Sequence, residues 1–335
     1  MKQNKIILMA LIALMLLFSA CGGGNTPTTN TPVYKPFVGG DSGITFEFMP
    51  GMPSDVAGAI SDNGNEFSVG VKLTNDGEYD IDAETEGTYL KLELKGIKPE
   101  YYGLTNADLI KYLEEDLKGA RKNIDGTILK GDFNMLAFEG LSYKSDIQGD
   151  LPVNFMVDIC YDYGTKSSTR VCVADDVNKA LVDENDQKIC MVSANQETQN
   201  SAGPVKVQNM RQSPSGGSKI SILFDIARIG LGDIYLFENE NGCDSNVDKD
   251  KIKVVVSLPE QSTALLECTG FTEGPDGLEK VMTVFKESPQ AVTCRITGEE
   301  GEDNVYLENL NVNLYYRYNE QISKSVIVKD TGANN

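Results

Sequence analysis

The side chains best suited to bind a metal ion lie in one acidic turn, "DSNVDKD", where oxygen-bearing residues alternate: Asp244, Asn246, Asp248 and Asp250. The first three have the spacing of the first three ligands of an EF-hand calcium loop. That loop also needs glycine at its sixth position and glutamate at its twelfth, where this chain has Lys249 and Val255. We therefore predict a solvated acidic turn, with a looser calcium site as the alternative, and no bound cofactor.

Seven cysteines are present, and six of them follow the N-terminal region: Cys160, Cys172, Cys190, Cys243, Cys268 and Cys294. Their separations of 12 or more residues favour disulfides over a soft-metal site, which needs CxxC-like clusters. An even number also fits an oxidised, exported protein.

The sequence favours three pairings among the many that six cysteines allow. Cys172–Cys190 would clamp the acidic stretch 173–189, and Cys268–Cys294 would join two strands by their inward faces. Cys160–Cys243 would then tie the two halves of the chain together. In the alternative, Cys160 bridges Cys172 across a hairpin, on an outward face that they share with three polar residues: Asp158, Asp162 and Arg170.

The absence of histidine from all 335 residues limits the kinds of active site that the chain can form. This excludes Ser-His-Asp and Cys-His catalysis, HExxH zinc sites and histidine pH switches. The sequence has neither a Walker-type phosphate loop nor a GxGxxG motif after a strand. What remains is a carboxylate-based hydrolase, with two acidic side chains about 5–10 Å apart in a cleft. We predict that the protein is not an enzyme.

Two tyrosine pairs, Tyr101-Tyr102 and Tyr315-Tyr316, could stack on sugars. Because Tyr161 and Tyr316 fall on inward faces of strands, we expect core packing for them and exposure for Tyr101 and Tyr315. Sugar or calcium binding is therefore the alternative function.

The first 37 residues carry export and anchoring signals. Residues 1–20 have the layout of a signal peptide, with Lys2 and Lys5 before an apolar run of 13 residues, too short to span a bilayer that needs about 20. The tetrad ending in Cys21, Phe-Ser-Ala-Cys, resembles the lipobox of prokaryotic lipoproteins, which implies a lipid on the Cys21 sulfur. The alternative is ordinary secretory cleavage that leaves a free thiol. Residues 21–37 then form a flexible, disordered Thr-Pro stalk.

Charge limits the partners. The whole chain has a net charge of −20, and removal of residues 1–20 leaves 28 basic and 50 acidic residues, a net of −22. Such a surface repels nucleic acid and anionic head groups. We expect contact with the membrane only through the lipid, on the outer side of the cytoplasmic membrane or cell envelope, and surface proteins or glycans as further partners.

The sequence segments predicted to form the strands occur twice in the chain. "FSVGVKLTNDGEYDI" (67–81) aligns without gaps onto "ISILFDIARIGLGDI" (220–234), 153 residues later. "VDICYDYGTKSSTRVCVAD" (157–175) aligns onto "VNLYYRYNEQISKSVIVKD" (312–330), 155 residues later, with 7 of 19 positions identical. The first pair alternates as half-buried strands do, and each member of the second pair is predicted to be a hairpin with a polar turn.

These patterns predict an all-β protein of two tandem β-sandwiches, at 38–198 and 199–332. A helix is expected near 105–122, inserted in the first unit. Thr105 and Asp108 resemble a capping box, and an apolar stripe follows: Leu109, Tyr112, Leu113 and Leu117.

The run "VGVKLTNDGEYDI", with "FVGGDSGITFEFMPG" (37–51), resembles the opening strands of Ig-like domains of the CARDB adhesion type in prokaryotic surface proteins. The layout is similar to that of uncharacterised archaeal surface lipoproteins with two such domains. This resemblance implies tandem Ig-like folds without catalytic residues. We therefore expect a lipid-anchored, non-enzymatic structural or adhesion module at the cell surface.

Overall fold

Alternating apolar residues form strands along the whole of the described chain. The computed structural model describes residues 35–56, 59–62, 64–83, 89–174, 190, 192, 194–237, 239–244, 246–298 and 305–332. Within these ranges the only helices are three 3-10 turns of three or four residues: Pro99–Tyr102, Ala107–Leu109 and Gly242–Asp244. The prediction of an all-β protein is confirmed. Cys21, the signal peptide and nearly all of the predicted stalk lie outside the described residues.

The strands in chain order are β1 (Ile44–Phe48), β2 (Phe67–Asn75), β3 (Leu90–Lys95), β4 (Ile110–Tyr112), β5 (Arg121–Lys122), β6 (Ile128–Leu129), β7 (Phe133–Leu141), β8 (Leu151–Ala174), β9 (Ala194–Asn195), β10 (Thr198–Asn200), β11 (Val205–Pro214), β12 (Lys219–Arg228), β13 (Asp233–Leu236), β14 (Lys251–Ser257), β15 (Leu265–Cys268), β16 (Thr272–Gly274), β17 (Gly277–Thr283), β18 (Gln290–Thr297) and β19 (Val305–Val328).

These strands form three main sheets in a sandwich-like arrangement. The largest has nine strands, in the order β16-β17-β14-β19-β8-β3-β4, with β10 also on β8 and β13 also on β19. A three-stranded sheet is ordered β1-β2-β7, a five-stranded sheet is ordered β15-β18-β12-β11-β9, and β5 and β6 form a hairpin. Side chains of the three main sheets meet in one hydrophobic core.

A ribbon of two long strands runs through the nine-stranded sheet. β8 and β19 pair antiparallel over all 24 residues of each, from Leu151 opposite Val328 to Ala174 opposite Val305. The two predicted hairpins were therefore wrong, because each is a single strand and the two pair with each other. The polar run was misread as a turn. Its alternate residues are in fact buried and hydrogen-bonded: Thr165 to Tyr316, Ser167 to Asn200, and Thr169 to Thr198.

The register of this ribbon follows the internal repeat. The repeat shift of 155 residues maps Asp162 onto Arg317, and the register places these two residues opposite each other. A local two-fold axis therefore passes through this pair. Arg317 Nε and Nη2 donate to the two carboxylate oxygens of Asp162 at 2.7 and 2.9 Å, with both side chains buried.

The predicted inward faces are confirmed. The buried residues include the β8 set, Val157, Ile159, Tyr161 and Tyr163, and its β19 counterpart, Val312, Leu314, Tyr316 and Tyr318. They also include Val69, Val71 and Leu73 of β2 and Ile222, Phe224 and Ile226 of β12. The period of two read from the sequence therefore gives the correct core face of all four strands.

The helix predicted near 105–122 does not form. Its stretch holds the 3-10 turn Ala107–Leu109, strand β4 and the start of the β5–β6 hairpin. The Thr105–Asp108 contact exists, because Asp108 accepts from the Thr105 amide at 2.8 Å and from its hydroxyl at 2.7 Å. It closes only one turn, after which β4 pairs with β3. Sheet pairing thus overrides a local helical signal.

The predicted outward face of β8 is also corrected. Cys160, Asp162 and Cys172 are buried, while Asp158 is half-buried and Arg170 is exposed. The turn Gly242–Asp244 brings Cys243 to Cys160, and Tyr89 covers the Arg317 guanidinium 4.3 Å from its ring centre. Loops therefore cover a face that periodicity alone assigns to solvent.

Three disulfides are present, Cys160–Cys243, Cys172–Cys190 and Cys268–Cys294, and they are the three pairings that the sequence favoured. Such bonds persist in oxidising, extracytoplasmic surroundings. None of the helical turns in the described ranges has the length or apolar character needed to cross a bilayer. The residues from Pro36 onward form one compact unit, and the boundary between 198 and 199 stays a prediction.

Candidate functional site

Each repeat contains a buried tyrosine, Tyr163 in the first and Tyr318 in the second. The hydroxyl of Tyr163 contacts the turn that follows β2, and the hydroxyl of Tyr318 contacts the turn that follows β12. The Glu78 amide donates to Tyr163 Oη at 3.2 Å, and the Gly232 amide donates to Tyr318 Oη at 2.8 Å. Glycine is required beneath each hydroxyl: a Cβ on Gly77 would lie 1.7 Å from Tyr163 Oη, and one on Gly230 would lie 2.3 Å from Tyr318 Oη. This explains why both repeats carry glycine at that position.

The two tyrosines differ in the acceptor that each hydroxyl uses. Tyr163 donates to the carbonyl of Ala202 at 3.0 Å, whereas Tyr318 donates to the Glu320 carboxylate at 2.9 Å. Burial and then the Glu320 charge raise the pKa of Tyr318 well above its ordinary value. Tyr318 therefore stays a neutral hydrogen-bond donor.

A cleft of about 820 Å³ opens beside Tyr318. Its walls are residues 41–46, which lead into β1, the turn 229–233 and the β19 segment 318–322. Polar groups come from Tyr318, Asn319, Glu320, Gln321 and Lys286, and apolar ones include Phe46, Ile229, Leu231 and Ile322. Leu231 is 82 % exposed, so this wall presents a large apolar side chain to solvent.

Most charges around the cleft are paired. Asp233 accepts from Lys249 at 2.8 Å, and Asp41 accepts from Lys206 at 2.5 Å. Burial acts to raise the pKa of Asp233, but the Lys249 hydrogen bond and charge bring it below its ordinary value. Glu320 differs, because in the described part of the chain no lysine or arginine nitrogen lies within ion-pair distance of it. The cleft therefore offers one carboxylate that only a hydroxyl satisfies.

Two of the acidic residues predicted as a possible calcium site contact separate basic partners. Asp250 is an ion-pair partner of Arg228, and Asp244 lies 3.7 Å from Lys91. Asp248 accepts the Leu236 amide through its backbone carbonyl. Across the described residues, no three acidic or cysteine side chains are grouped so that they could hold a metal ion.

The tyrosines predicted as sugar contacts do not line the cleft. Tyr101 is 44 % exposed, as expected, and lies beneath Lys98. The predicted exposure of Tyr315 was wrong, because this side chain is half-buried and packs against Phe237, with ring centres 5.6 Å apart. Tyr316 is fully buried, as predicted.

Sequence reasoning assigned Tyr318 to the core and missed the cleft. One signal was available: at repeat-equivalent positions, 155 residues apart, the first repeat has Thr165 and the second has Glu320. Thr165 is buried, and a carboxylate is rarely fully buried. Glu320 at the equivalent position therefore indicates that solvent reaches this place in the second repeat. A scan against protein-family models finds no match, and a search of curated proteins finds no significant relative.

Proposed function

We propose that this protein is an exported, lipid-anchored lipoprotein that acts as a non-enzymatic structural or adhesion module at the cell surface. In this proposal its two repeats are Ig-like sandwiches of the CARDB type, and Cys21 carries the lipid. The Thr-Pro stalk would hold the folded part away from the membrane.

The observation that carries the proposal is that the two repeats are joined by both a long strand pairing and a disulfide. A 24-residue ribbon joins β8 of the first repeat to β19 of the second, and the Cys160–Cys243 disulfide links the same two halves. Tension applied at one repeat would load many ribbon hydrogen bonds and a covalent bond. Such a design suits a load-bearing surface module in an oxidising environment.

The non-enzymatic assignment is supported by the state of the acids at the cleft. A hydrolytic general acid needs a raised pKa so that it is protonated at neutral pH. At Asp233 burial acts to raise the pKa, but the contact with Lys249 brings it below its ordinary value. This contact favours binding over cleavage.

The anchor is tested by cell fractionation of the full chain and its Cys21→Ser variant, with Thr26→Ser as the matched control. We expect the wild type and the control in the membrane fraction, labelled by radioactive palmitate, and the Cys21→Ser variant unlabelled. Membrane retention of an unlabelled wild type would contradict lipid anchoring. Recovery of the wild type from the cytosol would contradict export as well.

The second candidate is a sugar- or calcium-dependent binding module. The observation that favours it is the cleft, where the Tyr318 hydroxyl, the Glu320 carboxylate and the half-buried Phe46 are brought together. Hydroxyl–carboxylate pairs beside an aromatic ring suit polyols. Calorimetry with a glycan panel, with and without calcium, tests it; the absence of heat with every glycan would remove this candidate.

A further inference from the structure

The first repeat closes an open strand edge with a segment of its own chain. β10 pairs with the outer edge of β8, with Thr198 opposite Thr169 and Asn200 opposite Ser167. One step further on, the Ser201 amide donates to the Lys166 carbonyl at 2.8 Å, and the Lys166 amide donates to Ser201 Oγ at 2.9 Å. This segment continues to Ala202, whose carbonyl accepts from Tyr163.

Among the described residues, the equivalent edge in the second repeat has no such strand. The shift of 155 residues maps 166–169 onto 321–324. β13 pairs with the outer edge of β19 only as far as Asn319, and no strand of the described ranges pairs with that edge over 320–328. The cleft opens where this pairing stops, because Asn319, Glu320, Gln321 and Ile322 line it.

Residues 38 and 39 of the chain's own upstream segment are held away from this edge, whereas residues 41–43 line the cleft. The segment that precedes β1 corresponds to the one that precedes β11, but its Val38 and Gly39 amides donate to the Glu78 carboxylate at 2.8 and 3.0 Å. Glu78 also accepts the Ala202 amide at 2.9 Å. In the second repeat, Leu231 stands at the position of Glu78, so the cleft lacks the acceptor that holds backbone amides in the first.

The groups along the outer edge of β19 beside the cleft indicate which ligand would bind there. By equivalence with Lys166, the Gln321 amide and carbonyl point outward, so the edge offers main-chain hydrogen bonds to an added strand. Glu320 adds a negative charge that has no lysine or arginine nitrogen within ion-pair distance in the described chain, and Lys286, which also lines the cleft, donates instead to the Leu231 carbonyl at 2.8 Å. Leu231 and Phe46 add apolar contact.

We propose that the cleft binds an extended, basic peptide segment of another protein, which adds as a strand to β19 along 321–324 and places a lysine or arginine against Glu320. This inference rests on the proposed non-enzymatic surface role and names its partner class. β10 on β8 is its structural template.

The template supplies the probe. Residues 196–204 read QETQNSAGP, and the alanine of this peptide, Ala202 in the chain, aligns with Thr165, hence with Glu320 in the second repeat. Two synthetic peptides are compared on the full chain purified in detergent: this sequence, and the same sequence with lysine in place of the alanine. Fluorescence polarisation gives Kd, and hydrogen exchange locates the bound peptide.

We expect both peptides to bind, with the lysine peptide about fivefold tighter, as for one partly exposed ion pair. Glu320→Gln should abolish that preference. Glu139→Gln, which alters an exposed carboxylate on β7, should leave both peptides unchanged. The outward-facing amides of Gln321 and Ser323 should exchange more slowly in the complex.

Three results would overturn the inference: no saturable binding of either peptide, a lysine preference that survives Glu320→Gln, or exchange protection outside 320–324. Binding of a neutral glycan in the cleft that excludes the peptides would also overturn it, in favour of a sugar site. None of these results bears on the lipid anchor, which the fractionation experiment tests separately. Failure of the peptide site and failure of the proposed surface role are thus distinguishable.

Discussion

The ion pair between Asp162 and Arg317 gives the sharpest prediction about stability. Asp162 is fully buried, and the Arg317 side chain is 4 % exposed. Arg317 makes two hydrogen bonds to Asp162 and a third, at 2.8 Å, to the carbonyl of Asn239. Tyr89 covers the guanidinium face. The charges are therefore fully desolvated and satisfied only by each other and by neighbouring polar groups.

Removing Arg317 or Asp162 leaves the other as a buried charge without this partner, which costs about 3–5 kcal/mol. Arg317→Met and Asp162→Leu should each lose about that much free energy of unfolding. The double variant buries neither charge, and its costs include the unsatisfied Asn239 carbonyl and the lost Tyr89 contact. These amount to about 1–3 kcal/mol. The double variant should therefore be more stable than either single variant.

Urea unfolding followed by far-UV circular dichroism, with the disulfides intact, measures all four proteins; the chain has no tryptophan for fluorescence. Gln208→Leu, a half-buried site on β11 away from the ribbon, controls for a general effect of a new leucine. If the two single losses simply add in the double variant, the pair is not coupled as described. Single losses below about 1 kcal/mol would refute the reasoning that both charges are desolvated.

Three further outcomes follow from other contacts. Gly77→Ala should cost about 1–3 kcal/mol, because its methyl group would overlap the Tyr163 hydroxyl; in a Tyr163→Phe background the same substitution should cost less, as thermal unfolding would register. Replacing Cys172 and Cys190 together by serine opens a loop of 18 residues and should lower the free energy of unfolding by about 3 kcal/mol, and an unchanged urea midpoint would contradict this. Asp62 is buried and accepts the Thr331 hydroxyl and amide, which lower its pKa from the ordinary 3.8, so its stabilising contribution is complete above about pH 3.8 and disappears as the pH falls through its lower folded pKa. Asp62→Asn should be less stable at neutral pH yet lose less stability on acidification than the wild type, and parallel pH profiles would count against this role.

The sequence was sufficient for the strands that have one buried face. In β2 and β12 the period of two identified the buried residues, and the shared glycines Gly77 and Gly230 marked equivalent turns. Of the cysteine pairings, Cys268–Cys294 followed from inward faces and Cys172–Cys190 from the acidic stretch it closes, whereas Cys160–Cys243 followed by elimination. These features depend on local pattern, which a sequence displays directly.

The errors arose where distant contacts decide the outcome. Residues 164–169 are polar and resemble a turn, yet Tyr316, Asn200 and Thr198 satisfy their buried hydroxyls, so the strand continues. The apolar stripe near 105–122 has helical spacing, but pairing of β4 with β3 converts it into extended chain. Asp162 falls on the outward face by period, and only the approach of Arg317 and Tyr89 buries it.

The cleft was not predictable from local pattern either. It depends on the difference between two repeats that have nearly the same strands. In the first, Glu78 and Tyr163 hold the chain's own backbone. In the second, Leu231 stands at the position of Glu78, Tyr318 donates to Glu320, and no strand of the described residues pairs with the outer edge of β19 over 320–328. Comparing equivalent positions of the repeats, rather than each position alone, is the sequence signal that bears on it.

Intact mass spectrometry of the protein, purified without reductant from the membranes of its own cells, tests the central claim most directly. The account predicts a chain that begins at Cys21, carries a diacylglyceryl group, and is six hydrogens lighter than its reduced form because of three disulfides. A mass equal to that of all 335 residues, with every thiol reduced and unmodified, would contradict it.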